Sequence, residues 1–143
     1  MPKVSRFAKK YAAGLAPLIG RELKPNDGLA VGFVAAAERK LKLKIPIALR
    51  EYYSIAGRLA LNKEHNQLYS PGKLRMLEGK LVFMEENQCV VFWGMDKEAL
   101  GQDDSEVFQA NNEIPIVWYS EELPFSDWII KTWRWQAGLD AGH

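Results

Sequence analysis

The chain has 143 residues, the length of one domain, and is nearly neutral, with 19 basic and 18 acidic side chains. This balance is untypical of a nucleic-acid-binding protein, and one cysteine with two histidines excludes an internal disulfide and a multi-histidine metal site. With 48% apolar residues but no stretch long enough to span a membrane, the sequence predicts a cytoplasmic globular protein without a metal or other cofactor.

The charges are distributed unevenly along the chain. Residues 1–84 carry sixteen basic and six acidic side chains, a net +10, whereas residues 85–143 carry three basic and twelve acidic ones, a net −9. Eight of the acids lie within residues 85–113. A solvated acidic loop would explain this pattern, but charge asymmetry also affects the choice of partner and the association rate.

Residues 1–24 are predicted to form a basic amphipathic helix that packs on a single domain formed by residues 25–143. Four apolar residues recur at helical spacing, namely Phe7, Tyr11, Leu15 and Leu18. Basic residues precede an apolar run, as in a signal peptide, but Pro17 interrupts the run and no small-residue cleavage site follows it. No export signal is therefore predicted.

Two further helices are predicted before the strands begin. Asp27 is placed to cap a helix over residues 28–41. The mostly apolar face of this helix comprises Leu29, Phe33, Ala36, Ala37, Lys40 and Leu41. Pro46 favours the first turn of the next helix, and Gly57 favours its end. One face of that second helix carries Leu49, Tyr52, Tyr53 and Ala56.

Residues 58–71 are polar and irregular, and the hydrophobic period then changes to that of strands. Short apolar segments at residues 74–77, 80–84, 88–93 and 114–119 are the predicted strands and strand-like segments. The second and third are predicted to form an antiparallel hairpin joined by Glu85, Glu86 and Asn87. The acidic residues 94–112 are predicted to be turn-rich.

The last predicted element is a C-terminal helix with Ser126 as its N-cap and Asp127 in its first turn. Its buried stripe is predicted to comprise Ile129, Ile130, Trp133 and Ala137, with Trp128 or Trp135 at the edge. Helices, several strands and a final helix indicate the α+β class. We expect an antiparallel sheet of about four to six strands packed against the N-terminal helices and the C-terminal helix.

Candidate catalytic residues are few, and none of them forms a recognised pattern. Glu85 and Glu86 are adjacent, which does not supply the separation that a pair of catalytic carboxylates needs. Cys89 falls in the predicted strand CVVFW, where a buried thiol is usually a small hydrophobe, and His65 lies in a polar loop. Since no nucleotide-binding or hydrolase motif occurs, we expect a protein that is not an enzyme.

The five tryptophans are alternative ligand-binding platforms. Trp93 and Trp133 lie in predicted buried faces and are expected in the core. Trp118 and Trp135 are less determined, and a tryptophan exposed at either position would suit a contact with a protein partner.

The order of several short motifs resembles the SUKH superfamily, which groups fungal Smi/Knr-type cell-wall regulators with bacterial immunity proteins. The similarity covers about residues 29–137. The first motif is a proline followed by a helix with tyrosines and a glycine, comprising Ile45, Pro46, Leu49, Arg50, Tyr52, Tyr53 and Gly57. A strand pair then carries Glu86, Asn87, Gln88, Trp93 and Gly94. The acidic segment Asp103-Asp104 through Val107 follows, and the last motif comprises Trp118, Glu121, Phe125 and Ser126.

The chain departs from this resemblance at three positions. Cys89 stands where members near this pattern have a small residue, and Ser105 and Glu106 stand where they have prolines. These differences concern local loop shape rather than the fold.

The resemblance implies an α+β domain without catalytic residues that binds and neutralises a toxin. Since fold does not dictate function, a regulatory or scaffold module that binds endogenous proteins is the alternative. An acidic surface could cover the basic cleft of a toxin that acts on nucleic acid. The predicted partner-binding residues are Asp96, Glu98, Asp103, Asp104, Glu106 and Trp118. The oligomeric state is left open.

Overall fold

A computed structural model describes residues 5–139, and the α+β class predicted from the sequence is confirmed. The four residues at each end, which belong to the predicted N-terminal segment and to the end of the predicted domain, lie outside this part. The helices are α1 (Ala8–Ile19), α2 (Val31–Leu41), α3 (Ile47–Ala56) and α4 (Phe125–Gln136). The strands are β1 (Gln67–Leu68), β2 (Arg75–Leu77), β3 (Lys80–Glu85), β4 (Val91–Asp96), β5 (Glu106–Asn111) and β6 (Tyr119–Pro124). Within residues 5–139, no helix has the length and apolar character needed to cross a bilayer.

The six strands form one antiparallel sheet in the order β1-β3-β4-β5-β6, and β2 also pairs with β3. Cross-strand partners lie on the same face of a sheet, so the register separates two sets of side chains. Leu81 pairs with Met95 on the face that packs against the helices, and all of both side chains is buried. Val82, Gly94 and Phe108 are aligned across β3, β4 and β5 on the opposite face, which we call the outer face.

A series of aromatic contacts forms the centre of the core. The ring of Tyr11 in α1 meets that of Tyr52 in α3 at 5.3 Å between centroids, and Tyr52 meets Phe125 in α4 at 5.9 Å. Phe125 then meets Phe83 of the sheet at 5.3 Å, and Phe83 meets Trp128 at 5.6 Å. All four contacts are edge-to-face, a geometry that ring quadrupoles favour. The helices and the sheet therefore share one core.

The predicted amphipathic character of α1 and α3 is confirmed. Tyr11 and Leu15 of α1 are fully buried, and the Tyr11 hydroxyl donates a hydrogen bond of 2.6 Å to the carbonyl of Ala48. Since a phenol buried in the core loses hydration of its anion, burial raises the pKa of Tyr11. Helix α3 begins directly after Pro46 and buries the four predicted residues Leu49, Tyr52, Tyr53 and Ala56.

The predicted capping role of Asp27 is wrong. Pro25 starts a 3-10 turn (Pro25–Asp27), and the Asp27 carboxylate accepts the Lys24 N–H at 2.7 Å in that turn. Arg21 contacts the two oxygens of this carboxylate at 2.8 and 2.9 Å and holds the pKa of Asp27 well below its usual range. Helix α2 therefore begins only at Val31.

The buried face of α2 also differs from the prediction. The helix buries Val34 and Ala37, whereas Phe33 is 59% exposed. Ala36 and Lys40, which were expected on the apolar face, are exposed as well. The apolar period was therefore displaced by about one residue, since Val34 and not Phe33 faces the core.

The structure corrects three predictions in the second half of the sheet. The turn after β3 extends to residue 90, so Cys89 is an exposed turn residue with φ 58° and not a buried strand residue. Residues 114–118 form no strand, and the strand begins only at Tyr119. The acidic stretch 94–112, predicted to be turns, contains β5, which lies between β4 and β6. Val107 and Ala110 of β5 are buried, and the polar residues Glu106, Gln109 and Asn111 beside them hide the strand pattern.

The N-terminus of α4 differs from its prediction as well. Ser126 lies within the first turn of the helix, and Pro124 occupies the N-cap position without a side-chain cap. The buried stripe contains Ile129 and Trp133 as predicted, together with Trp128, whereas Ala137 is exposed. The cap is instead supplied by Asp104, whose carboxylate accepts the backbone N–H of Ser126.

Candidate protein-binding surface

Lys80 is the centre of a cluster on the outer face of the sheet. Its Nζ lies 4.8 Å from the ring centroid of Phe108 and 5.9 Å from that of Trp118. The same Nζ lies 3.9 Å from Oδ2 of Asp96, its partner across β3 and β4. A cation over aromatic faces and near a carboxylate is held in place while its stem covers apolar surface. The cluster therefore contains two of the predicted partner-binding residues, Asp96 and Trp118.

Trp118 lies directly over Gly94. A Cβ at position 94 would stand 3.3 Å from Cη2 of Trp118 and 3.0 Å from the carbonyl oxygen of Leu81. The glycine therefore allows the indole to approach the backbone of the sheet. Nε1 of Trp118 is buried and has no hydrogen-bond partner among the described residues, so packing and the contact with Lys80 position the ring.

A loop of exposed apolar side chains continues from this cluster. Ile114 is 95% exposed, Val117 46% and Tyr119 59%. We call residues 114–119 the apolar loop. Isolated exposed hydrophobic residues are common, but several large ones within six residues form the kind of patch that marks a binding site. Apolar residues led to the strand prediction for this segment, but in the structure several of them face solvent instead of the core.

Three of the predicted acidic residues lie near the outer-face cluster. Met95 pairs with Val107, so Asp96 and Glu106 follow at adjacent positions on β4 and β5. Asp96 accepts the backbone N–H of Glu98 at 3.2 Å, and Glu106 accepts a hydrogen bond from the hydroxyl of Ser120. Glu98 and Glu106 are exposed. These three carboxylates form an acidic rim at one end of the sheet.

The other two predicted acidic residues have internal roles. Asp103 forms an ion pair with Arg6. Asp104 caps α4, since its Oδ1 accepts the backbone N–H of Ser126 at 2.9 Å and its Oδ2 accepts the Ser126 hydroxyl at 2.5 Å. A carboxylate near a helix N-terminus is stabilised by the helix dipole. The structure therefore does not place all six predicted residues in one surface.

The basic N-terminal segment also binds to the start of α4. Nζ of Lys10 donates to the Ser126 hydroxyl at 2.7 Å and lies 2.5 Å from Oδ1 of Asp127. Together with the ion pair of Arg6 and Asp103, this contact pairs part of the positive half of the chain with part of the negative half. The charge asymmetry is therefore partly satisfied within the molecule, whereas Glu98 and Glu106 of the acidic rim remain exposed to solvent.

Cys89, which was considered as a nucleophile, does not have the lowered thiol pKa that this role needs. The exposed Cys89 contacts Glu85, and this hydrogen bond together with partial desolvation raises the pKa of the thiol. Tyr69 donates its hydroxyl to Oε2 of Glu85 at 3.1 Å. A raised thiol pKa lowers the fraction of thiolate, the nucleophilic form. Among residues 5–139, no group of three or more His, Cys, Asp or Glu side chains is arranged to hold a metal ion.

Sequence reasoning missed two parts of this surface. Phe108 was not singled out because its strand was predicted as turns, and Ile114 was assigned to a strand. The signal for Phe108 was the β-branched and aromatic pair Val107 and Phe108, residue types that are enriched in strands. The position of Lys80 could not be inferred, since its aromatic neighbours come from β5 and from the segment before β6.

No protein-family model matches the chain, and no curated protein and no solved structure is significantly similar to it. The resemblance to the SUKH superfamily therefore stays a prediction.

Proposed function

We propose that this chain is a non-catalytic binding protein that neutralises a cognate bacterial toxin by direct contact. The observation that carries the proposal is the apolar loop, whose exposed Ile114, Val117 and Tyr119 adjoin Trp118 on the outer face. Interface hot spots are enriched in tryptophan and tyrosine, and they contribute most when neighbouring contacts exclude water from them. The loop and the outer-face cluster offer both aromatic residues and an apolar surround.

The acidic rim favours a partner with a positively charged surface. Asp96, Glu98 and Glu106 lie at one end of the sheet that carries Trp118 and Phe108. A toxin that acts on nucleic acid presents a basic substrate cleft, and complementary charge raises the association rate and suppresses other partners. The proposal therefore favours a nuclease or deaminase domain as the partner.

The first experiment identifies the partner. The tagged full-length chain is expressed in its native host together with the genes adjacent to its own, and bound proteins are recovered. We expect one toxin domain in stoichiometric amount, and we expect co-expression of the chain to restore growth of cells that produce this domain. Recovery of several housekeeping proteins without a toxin would contradict the proposal and favour a regulatory or scaffold module.

The second experiment locates the surface on the chain. The double variant Ile114→Asp and Tyr119→Asp should weaken the complex at least about tenfold, because it places charge in an apolar contact. Phe33→Asp is the matched control, since Phe33 is as exposed as Tyr119 but belongs to α2. Equal loss of affinity in both variants would show that the apolar loop is not the contact.

A third measurement tests the acidic rim through its salt dependence. Glu98→Lys with Glu106→Lys should slow association at low salt, whereas Glu22→Lys with Glu64→Lys, which reverses two exposed acids elsewhere, should not. Asp103 and Asp104 are left unchanged in this test, because their replacement would break contacts with Arg6 and Ser126. An unchanged association rate and salt slope in the first variant would contradict the role of the rim.

A further inference from the structure

A cavity with a volume of about 500 Å³ lies between α2 and α3. None of its lining residues belongs to the outer face, the apolar loop or the acidic rim. Its walls are largely apolar, formed by Leu29, Val31, Val34, Ala35 and Ile47. Cavities of roughly 300–1,000 Å³ with apolar walls and a few polar groups are typical binding sites for small molecules.

Arg50 is the charged residue of this cavity whose side chain has no partner among residues 5–139. Its Nε is buried without a hydrogen-bond partner, and no ion pair of its guanidinium is found among residues 5–139. The buried Nε has lost its hydration without gaining a partner, and an anion that accepts its N–H would compensate for this loss. Arginine presents a planar fork of donors that fits a carboxylate or a phosphate.

The other charged residues around the cavity are already engaged. Glu38 accepts the backbone N–H of Ile45 at 2.9 Å. Glu51 accepts the hydroxyl of Ser5 at 2.7 Å and the backbone N–H of Phe7 at 2.8 Å. Arg6 is paired with Asp103 on a different segment. The two carboxylates thus stabilise backbone groups, and the guanidinium of Arg50 is the group left for a ligand.

We propose that this cavity binds an amphipathic anion, with a carboxylate or phosphate head at Arg50 and an alkyl body along the apolar wall. The proposal is independent of the proposed toxin contact, because the two sites share no residue. The apolar wall selects a molecule with an alkyl body, and the unpaired guanidinium selects a negative head over a neutral one of the same length.

The experiment titrates the full chain with decanoate, decyl phosphate and decanol, each below its micelle concentration, and measures binding by calorimetry. We expect decanoate or decyl phosphate to bind about tenfold or more tightly than decanol, as expected for one charge-assisted hydrogen bond. The comparison of the two anions shows which head group is preferred. Equal affinity for decanol, or no binding of either anion at millimolar concentration, would overturn the proposal.

Variants then test the two parts of the site. Arg50→Met should weaken binding of the preferred anion about tenfold, whereas Arg39→Met, at an exposed arginine outside the cavity, should leave it unchanged. Val31 is 75% exposed at the cavity, so Val31→Glu tests the same charge preference without disturbing the core. It should weaken anion binding more than Phe33→Glu on the same helix. Unchanged affinity in Arg50→Met and Val31→Glu would reject this site.

Discussion

The two faces of the sheet are built differently, although both carry aromatic residues. On the face that packs against the helices, Phe83 contacts Phe125 and Trp128, and all three side chains are almost completely buried. On the outer face, the aromatic rings of Phe108 and Trp118 are only partly buried, and Nζ of Lys80 lies over both rings. The first face stabilises the fold, and the second leaves apolar area available to a partner.

Truncation of the central core ring is expected to have the largest effect. Phe125→Ala should lower the free energy of unfolding by about 3–5 kcal/mol, because it leaves a cavity between Tyr52 and Phe83. Ile114→Ala in the apolar loop should change it by no more than about 0.5 kcal/mol, since the side chain is 95% exposed. Urea denaturation followed by circular dichroism measures both values. Comparable destabilisation by the two variants would contradict the division between the two faces.

Addition of one methyl group beneath Trp118 tests the outer face alone. Gly94→Ala should destabilise the fold by about 1–3 kcal/mol, because the new Cβ would lie within 3.0–3.3 Å of Leu81 and Trp118. Since Trp118 must move, its fluorescence maximum should shift. Gly72→Ala is the control, because a Cβ at that position meets no atom within 4 Å. A native spectrum and native stability in Gly94→Ala would show that the indole does not depend on this close approach.

An acidic residue that is bonded within the fold should contribute more to stability than one that is exposed to solvent. Asp104→Ala removes the cap of α4 and should lower the free energy of unfolding by about 0.5–2 kcal/mol. Glu98→Ala should change it by less than about 0.5 kcal/mol, because Glu98 is exposed and its side chain has no hydrogen bond among the described residues. Thermal unfolding of the two variants provides the comparison. If Glu98→Ala is the more destabilising variant, the distinction between the capping carboxylate of Asp104 and the solvent-exposed carboxylate of Glu98 is wrong.

The sequence was sufficient where local pattern decides structure and insufficient where distant contacts do. Helix α3 was predicted with its buried face because its apolar period and flanking Pro46 and Gly57 are local signals. Strand β5 was missed, since its sequence EVFQAN contains one acid and two amides and its strand conformation depends on pairing with β4 and β6.

The same limit applies to the candidate surface. Trp118 was identified from its residue type and its position in the sequence. Its contact with Gly94 could not be predicted, because the two residues are 24 positions apart. Asp104 was taken for a surface acid because its bond to Ser126 spans 22 residues. A count of charges therefore overstated the acidic surface, since it could not show which carboxylates are used inside the fold.

Asp27 is a further carboxylate bonded within the fold, and its contribution to stability should depend on pH. Its contacts with Arg21 and the Lys24 N–H lower its pKa in the folded state, so it stabilises the fold when ionised. This contribution is complete above the pKa of an unfolded aspartate, about 4, and is lost as the pH falls through the lower folded-state value. Wild type should therefore have a higher Tm than Asp27→Asn at neutral pH, and the difference should shrink progressively below about pH 4. A constant Tm difference for Asp27→Asn down to pH 2 would contradict the role of its charge.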